Sequence, residues 1–383
     1  MESYVVKMRR QFHMYPEVGF DLPRTLATIR AELEAMGVAY TEAFGKSSIV
    51  ATVNPENTSF TIGVRADIDA LPIREENDVP YKSRIDGQMH ACGHDCHAAM
   101  LLDTVRRVQE IRDRLRCRVK FIFQAAEEYS LSGAMLMVND GVMQDIDCIV
   151  GLHVDTNFKT GYVAMTPGPQ NATSDGFLLD FYGTAAHAAN QEKGVDANLM
   201  AMRAFADIEF MIAKTFSAKE PIIFNVGAIH GGVANNILCD HCQMFCTLRT
   251  WNAAVEQAAI ERIQKIIACV AESAGGRATY TKKKHYPIVC NHEGLTALMR
   301  ESAVRLLGED KVGVNARALG GEDFSYFANE KPGCFIRLGI RPPDKEKIPG
   351  VHNGCFDVDE AALEIGPRVF LQFILDHQDG IAF

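Results

Sequence analysis

Leu26, Ile29, Leu33 and Met36 recur at helical spacing, and Gly37 follows them. With Asp21 placed as a cap and Pro23 suited to a first turn, the spacing predicts a helix from about Pro23 to Met36. Three later runs are predominantly apolar: Thr61–Ala66, Val119–Gln124 and Cys148–Leu152. Short continuous apolar segments of this kind predict strands covered on both faces. A long helical pattern from Ala98 to Leu115 separates the first two. Strand–helix–strand alternation predicts an α/β fold, a mostly parallel sheet flanked by helices.

In the middle of the chain the pattern changes. Phe177–Gly183 reads as a strand, Val195–Lys214 as a helix, and Pro221–Ile229 and His241–Thr250 as strands. Ala253–Ser273 reads as a helix and Arg277–Tyr286 as a strand. This β-α-β-β-α-β order is that of a ferredoxin-like α+β domain. The α/β character then resumes with helix Leu295–Leu307, strand Cys334–Ile340 and helix Asp359–His377. The expectation is a ferredoxin-like domain over residues 172–287, inserted into a domain made of residues 1–171 and 288–383.

Polar chemistry gathers where the apolar runs stop. Asp67 and Asp69 follow the first strand, Glu127 and Glu128 the second, and His153 the third. In parallel α/β sheets, ligands bind beyond the carboxyl ends of the strands. Met89–His97 adds three histidines, two cysteines and an aspartate within nine residues, just before the helix that starts near Ala98. Imidazole, thiolate and carboxylate together suit zinc or another first-row divalent ion, and Gly93 lets the backbone turn so that Cys92 and His94 can face one point. Cys96 and His97 are near enough to serve in place of either. His352 lies in a glycine-flanked turn that could close the site. Taken singly, Asp67 and Asp69 read as loop caps and His153 as a core histidine. The joint pattern points to metal. The C-x-x-C of Cys239–Cys242 has no matching pair, and Cys242, Met244, Cys246 and Leu248 alternate as one buried strand face.

Composition narrows the partners. The chain has 383 residues, a net charge of −10 and no basic run interleaved with aromatics, which argues against nucleic acid. No apolar stretch approaches the ~20 residues of a membrane helix, and no export signal opens the sequence. Eleven scattered cysteines read as reduced thiols, and a cytoplasmic location is expected. Neither a serine-nucleophile elbow nor a phosphate-binding glycine loop is present.

The combined motifs resemble the N-acyl-amino-acid amidohydrolase branch of the di-metal aminoacylase and carboxypeptidase superfamily. Hippurate hydrolases, auxin-conjugate hydrolases and N-acetyldiaminopimelate deacetylases belong to that branch. The resemblance runs through Arg9-Arg10-x-x-His13-x-x-Pro16-Glu17-x-Gly19, Arg65–Pro72, Met89–Asp95, Gln124–Glu128, Gly151–His153, Gly320–Phe324 and the segment around His352. It implies a zinc-peptidase-like catalytic domain with an inserted lid and dimerisation domain. It also implies two divalent ions (zinc, manganese, cobalt or nickel) held by Cys92, His94, Glu128, His153 and His352, with Glu127 as general base. By the same resemblance Asp67 orients a ligand, His187 helps hold the reacting carbonyl, and Asn236 and Arg249 grip a substrate carboxylate. A homodimer through the inserted domain is implied as well. The expected reaction is hydrolysis of the amide of an N-acyl amino acid. A metallo-dipeptidase or carboxypeptidase with the same centre, or a silent binding protein of the same fold, are the alternatives. Asn190-Gln191 stands where the resembled branch has a Pro-His pair, which bears on the substrate side chain rather than on the reaction.

Overall fold

Thr61–Asp67 is buried at every position, and it lies at the heart of the larger sheet. The computed structural model describes residues 2–383. Among them, eight strands form this sheet in the order Ala39–Thr41, Ile49–Val53, Arg118–Gln124, Thr61–Asp67, Cys148–Lys159, Gly333–Arg341, Val163–Ala164 and Val312–Gly313. Arg118–Gln124, Thr61–Asp67, Cys148–Lys159 and Gly333–Arg341 pair in parallel. Their runs of Val, Ile and Phe are buried on both faces, as parallel central strands require. Ile49–Val53 and Ala39–Thr41 extend the sheet antiparallel toward one edge. Helix His94–Glu110 is buried over most of its length, and Ile365–His377 contributes Val369, Phe370, Phe373 and Ile374 to the same core.

The chain divides into two compact units. One comprises the chain up to Gly168, Val289–Ala316 and Asp323–Phe383; the other comprises Pro169–Ile288 and Arg317–Glu322. In the second unit, a four-stranded antiparallel sheet has the order Arg277–Tyr286, Ser174–Tyr182, His241–Thr250 and Ile222–Gly231 among the described residues. Helices Ala197–Thr215 and Ala253–Ala274 lay Met200, Ala204, Ile208, Ile263 and Ile267 against Phe177, Leu179, Met244 and Leu248. Cys242 and Cys246 belong to this apolar core and are free thiols.

Three local expectations need correction. Asp21 does not cap helix Pro23–Ala35: the Glu17 carboxylate does so, accepting from the backbone N–H of Arg24 (3.0 Å) and Thr25 (2.8 Å). Those N–H groups lack partners within the helix, so any nearby carboxylate can satisfy them. The helix expected from Ala98 begins at His94, because Gly93, at φ +85°, turns the chain directly into it. His153 does not end its strand, which continues to Lys159 beside Gly333–Arg341, with a shift in register between Gly339 and Arg341.

Candidate metal centre

Gly93 shapes the loop that brings two donors together. Its φ is positive, and a Cβ there would lie 2.4 Å from Val154 Cγ2, so only glycine fits. The turn buries both Cys92 and His94. His94 donates its Nδ1–H to the Asp69 carbonyl at 2.8 Å, which leaves Nε2 as the open nitrogen. His153 donates its Nδ1–H to the Val154 carbonyl at 2.7 Å, and its Nε2 stands 3.4 Å from Cys92 Sγ. His97 is placed differently. Its Nδ1 meets Asp67 Oδ1 at 2.5 Å and its Nε2 accepts from Val154 N–H at 3.0 Å, so both ring nitrogens are engaged within the protein. Cys96 packs in the apolar core.

The two glutamates follow strand Arg118–Gln124 through Ala126, which adopts a left-handed φ of +57°. The Asp69 carboxylate fixes this turn by accepting from the backbone N–H of Glu127 (2.9 Å) and Glu128 (3.1 Å). His352, also left-handed at φ +62°, is held by its own N–H on the Ala91 carbonyl at 2.7 Å. Its Nε2 lies 2.8 Å from Glu128 Oε1 without the alignment of a hydrogen bond. Donor atoms of Cys92, His94 and His153, of Cys92, Glu128 and His352, and of His94, Glu127 and Glu128 lie within 4.8 Å of one another in each trio. The trios share members, as the ligands of a pair of ions would.

The electrostatics fit cations. His94 Nε2 is buried with no hydrogen-bond partner. Although burial favours the neutral ring, the Asp67 carboxylate, 3.7 Å away, draws a proton to it and raises its pKa well above the usual imidazole value. The same pull acts on a metal ion. Burial, reinforced by Glu128 and Glu127, pushes the Cys92 thiol well up, so a thiolate there needs a positive partner. Against its own burial, His94, His97 and Arg65 hold Asp67 well below the usual carboxylate range. Arg65 is fully buried and bonds Asp67 Oδ2 (2.9 Å), Asp323 Oδ1 (2.6 Å) and Gln124 Oε1 (2.7 Å). A second buried network backs the Cys92–His94 loop: Asp95 Oδ2 takes Arg9 Nε at 2.9 Å and His13 Nδ1 at 2.7 Å.

The remaining expected site residues lie in the second unit. His187 and Asn236 come together there: His187 bridges Ile237, and Ala188 N–H donates to the Asn236 carbonyl at 2.9 Å. His187 is exposed, and its Nδ1 accepts from Ala189 N–H. Arg249 hydrogen-bonds to neither; its Nη1 donates to the Leu319 carbonyl at 2.7 Å. Asp69, expected only as one of the carboxylates gathered at the strand ends, and Arg65, expected only within a motif, both act as supports of the site. Alternation within the Asp-x-Asp pair was the available signal for Asp69. Nothing local could have signalled the link from Arg65 to Asp323.

The sequence profile of peptidase family M20/M25/M40 matches residues 63–376. N-acetyl-L-cysteine deacetylase of Bacillus subtilis (strain 168) is 31% identical over 95% of this chain and 85% of its own. Thermostable carboxypeptidase 1 of Saccharolobus solfataricus is 30% identical over 96% of this chain and 93% of its own. Among solved structures, the Bacillus subtilis YXEP protein, described as a dinuclear metal binding peptidase, superimposes with a TM-score of 0.83 at 27% identity, covering 98% of each chain.

Proposed function

The chain belongs to peptidase family M20/M25/M40, and from that premise we propose that it is a di-metal amidohydrolase cleaving N-acyl amino acids into a carboxylic acid and a free amino acid. The observation that carries this reading is the set of overlapping donor trios built on Cys92, His94, Glu128, His153 and His352. These five residues would hold two divalent ions. Thiolate and imidazole favour zinc, cobalt or nickel over magnesium, with manganese also accommodated. When bound, the ions polarise the amide carbonyl and lower the pKa of water. Glu127 accepts the proton of the attacking water on its carboxylate and delivers it to the departing amine. Asp67 keeps its charge and steadies the imidazoles beside it. His187 donates to the oxyanion that develops on the carbonyl. Asn236 and Arg249 bind the substrate carboxylate, for which a planar guanidinium fork is suited.

Metal analysis coupled to a substrate panel tests the reading. A chelator should abolish turnover, and Zn²⁺, Mn²⁺ or Co²⁺ should restore it. N-acetyl or N-benzoyl amino acids should be cleaved faster than dipeptides, and faster than the same amides with their carboxylates capped. Turnover indifferent to chelation would overturn the proposal; preference for dipeptides would favour the peptidase reading that the carboxypeptidase relative also suggests.

A homodimer through the second unit is part of the same proposal. Helix Ala197–Thr215 exposes Leu199 (61%), Met202 (60%) and Phe210 (66%) on one stripe with Ala206 and Ala213. Ile222–Gly231 is a long, uncharged edge strand, a ready template for pairing. Phe210→Glu should therefore shift the protein from dimer to monomer in sedimentation at micromolar concentration. An unchanged sedimentation coefficient would place the interface elsewhere. The reading also includes a cytoplasmic setting, which the eleven free thiols suit.

A further inference from the structure

A separate group of donors lies in the second unit. Strand Ser174–Tyr182 opens with Asp175 near its start, strand Arg277–Tyr286 ends near His285, and Glu256 stands in the first turn of helix Ala253–Ala274. Asp175 and His285 face each other only because the pairing slips between Lys282 and Lys284. Without that bulge, Lys284 would oppose Asp175. Bulges re-aim side chains in this way.

Asp175 is 0% exposed. Its Oδ1 lies 2.8 Å from His285 Nδ1, while its Oδ2 is buried and meets no hydrogen-bond partner. Glu256 Oε1 approaches the same nitrogen at 3.3 Å, and all three donors fall within 4.8 Å of one another. Two buried carboxyl groups beside one another repel unless a proton or a cation stands between them.

We propose that Asp175, Glu256 and His285 form a third divalent-cation site, separate from the paired ions and suited to Zn²⁺ or Mn²⁺. Donors about 2.1 Å from a common ion stand about 3.0 Å apart at right angles and about 3.4 Å apart in a tetrahedron. The 2.8 and 3.3 Å separations at His285 Nδ1 lie close to that range. Two carboxylates and one imidazole make a harder donor set than one that includes Cys92. The bound ion takes the place of the Nδ1 proton between His285 and Asp175 Oδ1, next to an Asp175 Oδ2 that meets no hydrogen-bond partner. Lys282 competes with it: its Nζ lies 3.5 Å from Asp175 Oδ1, and with 44% of its side chain exposed it can turn out to solvent. Asp175 and His285 sit shortly after the second unit begins at Pro169 and shortly before its main segment ends at Ile288. The ion thus ties the entering and leaving strands to the helix that carries Glu256.

Zn²⁺ titration of the metal-free full-length protein, read by calorimetry and metal analysis, tests the site. Wild type should bind one equivalent more than His285→Ala. That difference should persist in a Cys92→Ala/His94→Ala background, where the centre proposed for catalysis is disabled. Lys282→Ala alters only an exposed cation and should bind this ion about tenfold more tightly. Equal stoichiometry with and without His285, together with an unchanged affinity in Lys282→Ala, would overturn the proposal and leave a shared proton between the carboxyl groups. Loss of turnover in the Cys92→Ala/His94→Ala protein bears only on the catalytic reading, so the two can fail independently.

Discussion

Glu127→Gln should retain its metal ions and lose turnover by about 10³- to 10⁴-fold, the upper part of the range for removal of a general base. The substitution is nearly isosteric, and Glu127 is buried, with its backbone fixed on Asp69. The fold and the neighbouring ligands therefore have little reason to change. What disappears is the one group proposed to take the proton of water and return it to nitrogen. The measurement is kcat against metal content in the same preparation. A variant keeping more than a tenth of wild-type kcat with full metal loading would remove Glu127 from the mechanism.

Arg65→Met should be the most destabilising single change near the centre, by about 3–5 kcal/mol. Arg65, Asp67 and Asp323 are all fully buried, and one guanidinium bonds both carboxylates. Methionine fills most of the volume and leaves two interior carboxylates without that countercharge. Asp323 would keep Gln124 Nε2 at 2.8 Å and Ser132 Oγ at 2.7 Å, which offset part of the loss. Denaturant unfolding should show a lower midpoint, and adding Asp323→Asn should recover some of it because one of the stranded charges is then gone. A midpoint equal to wild type would mean that the pair contributes nothing net.

The central strands were legible because burial on both faces concentrates Val, Ile and Phe into short runs. Thr61–Asp67 and Arg118–Gln124 advertise their place in the sheet. The first helix, Tyr4–Met14, was not legible. Its buried face includes Arg9 and His13, whose polarity hides the periodicity, and their burial makes sense only beside Asp95, Glu75 and Asp357. Ile49–Val53 was missed as well, being short and joined antiparallel where the alternation pattern predicts parallel neighbours. In the site, residue types betrayed the donors, since sulfur, imidazole and paired carboxylates crowd into short segments. Their support was invisible, because Asp69 acts on main-chain N–H groups and Arg65 reaches a partner 258 positions away.

The tautomer of His153 is set by the main-chain carbonyl of Val154 rather than by a carboxylate, whereas His94 Nδ1 faces both the Asp69 carbonyl at 2.8 Å and the Asp69 carboxylate at 3.5 Å. A carboxylate behind an imidazole raises its basicity more than a neutral carbonyl does. As a ligand, the His153 ring would therefore donate less electron density and leave an attached ion a stronger Lewis acid. Replacing a neighbouring side chain leaves that setting in place, since it is written into the path of the backbone.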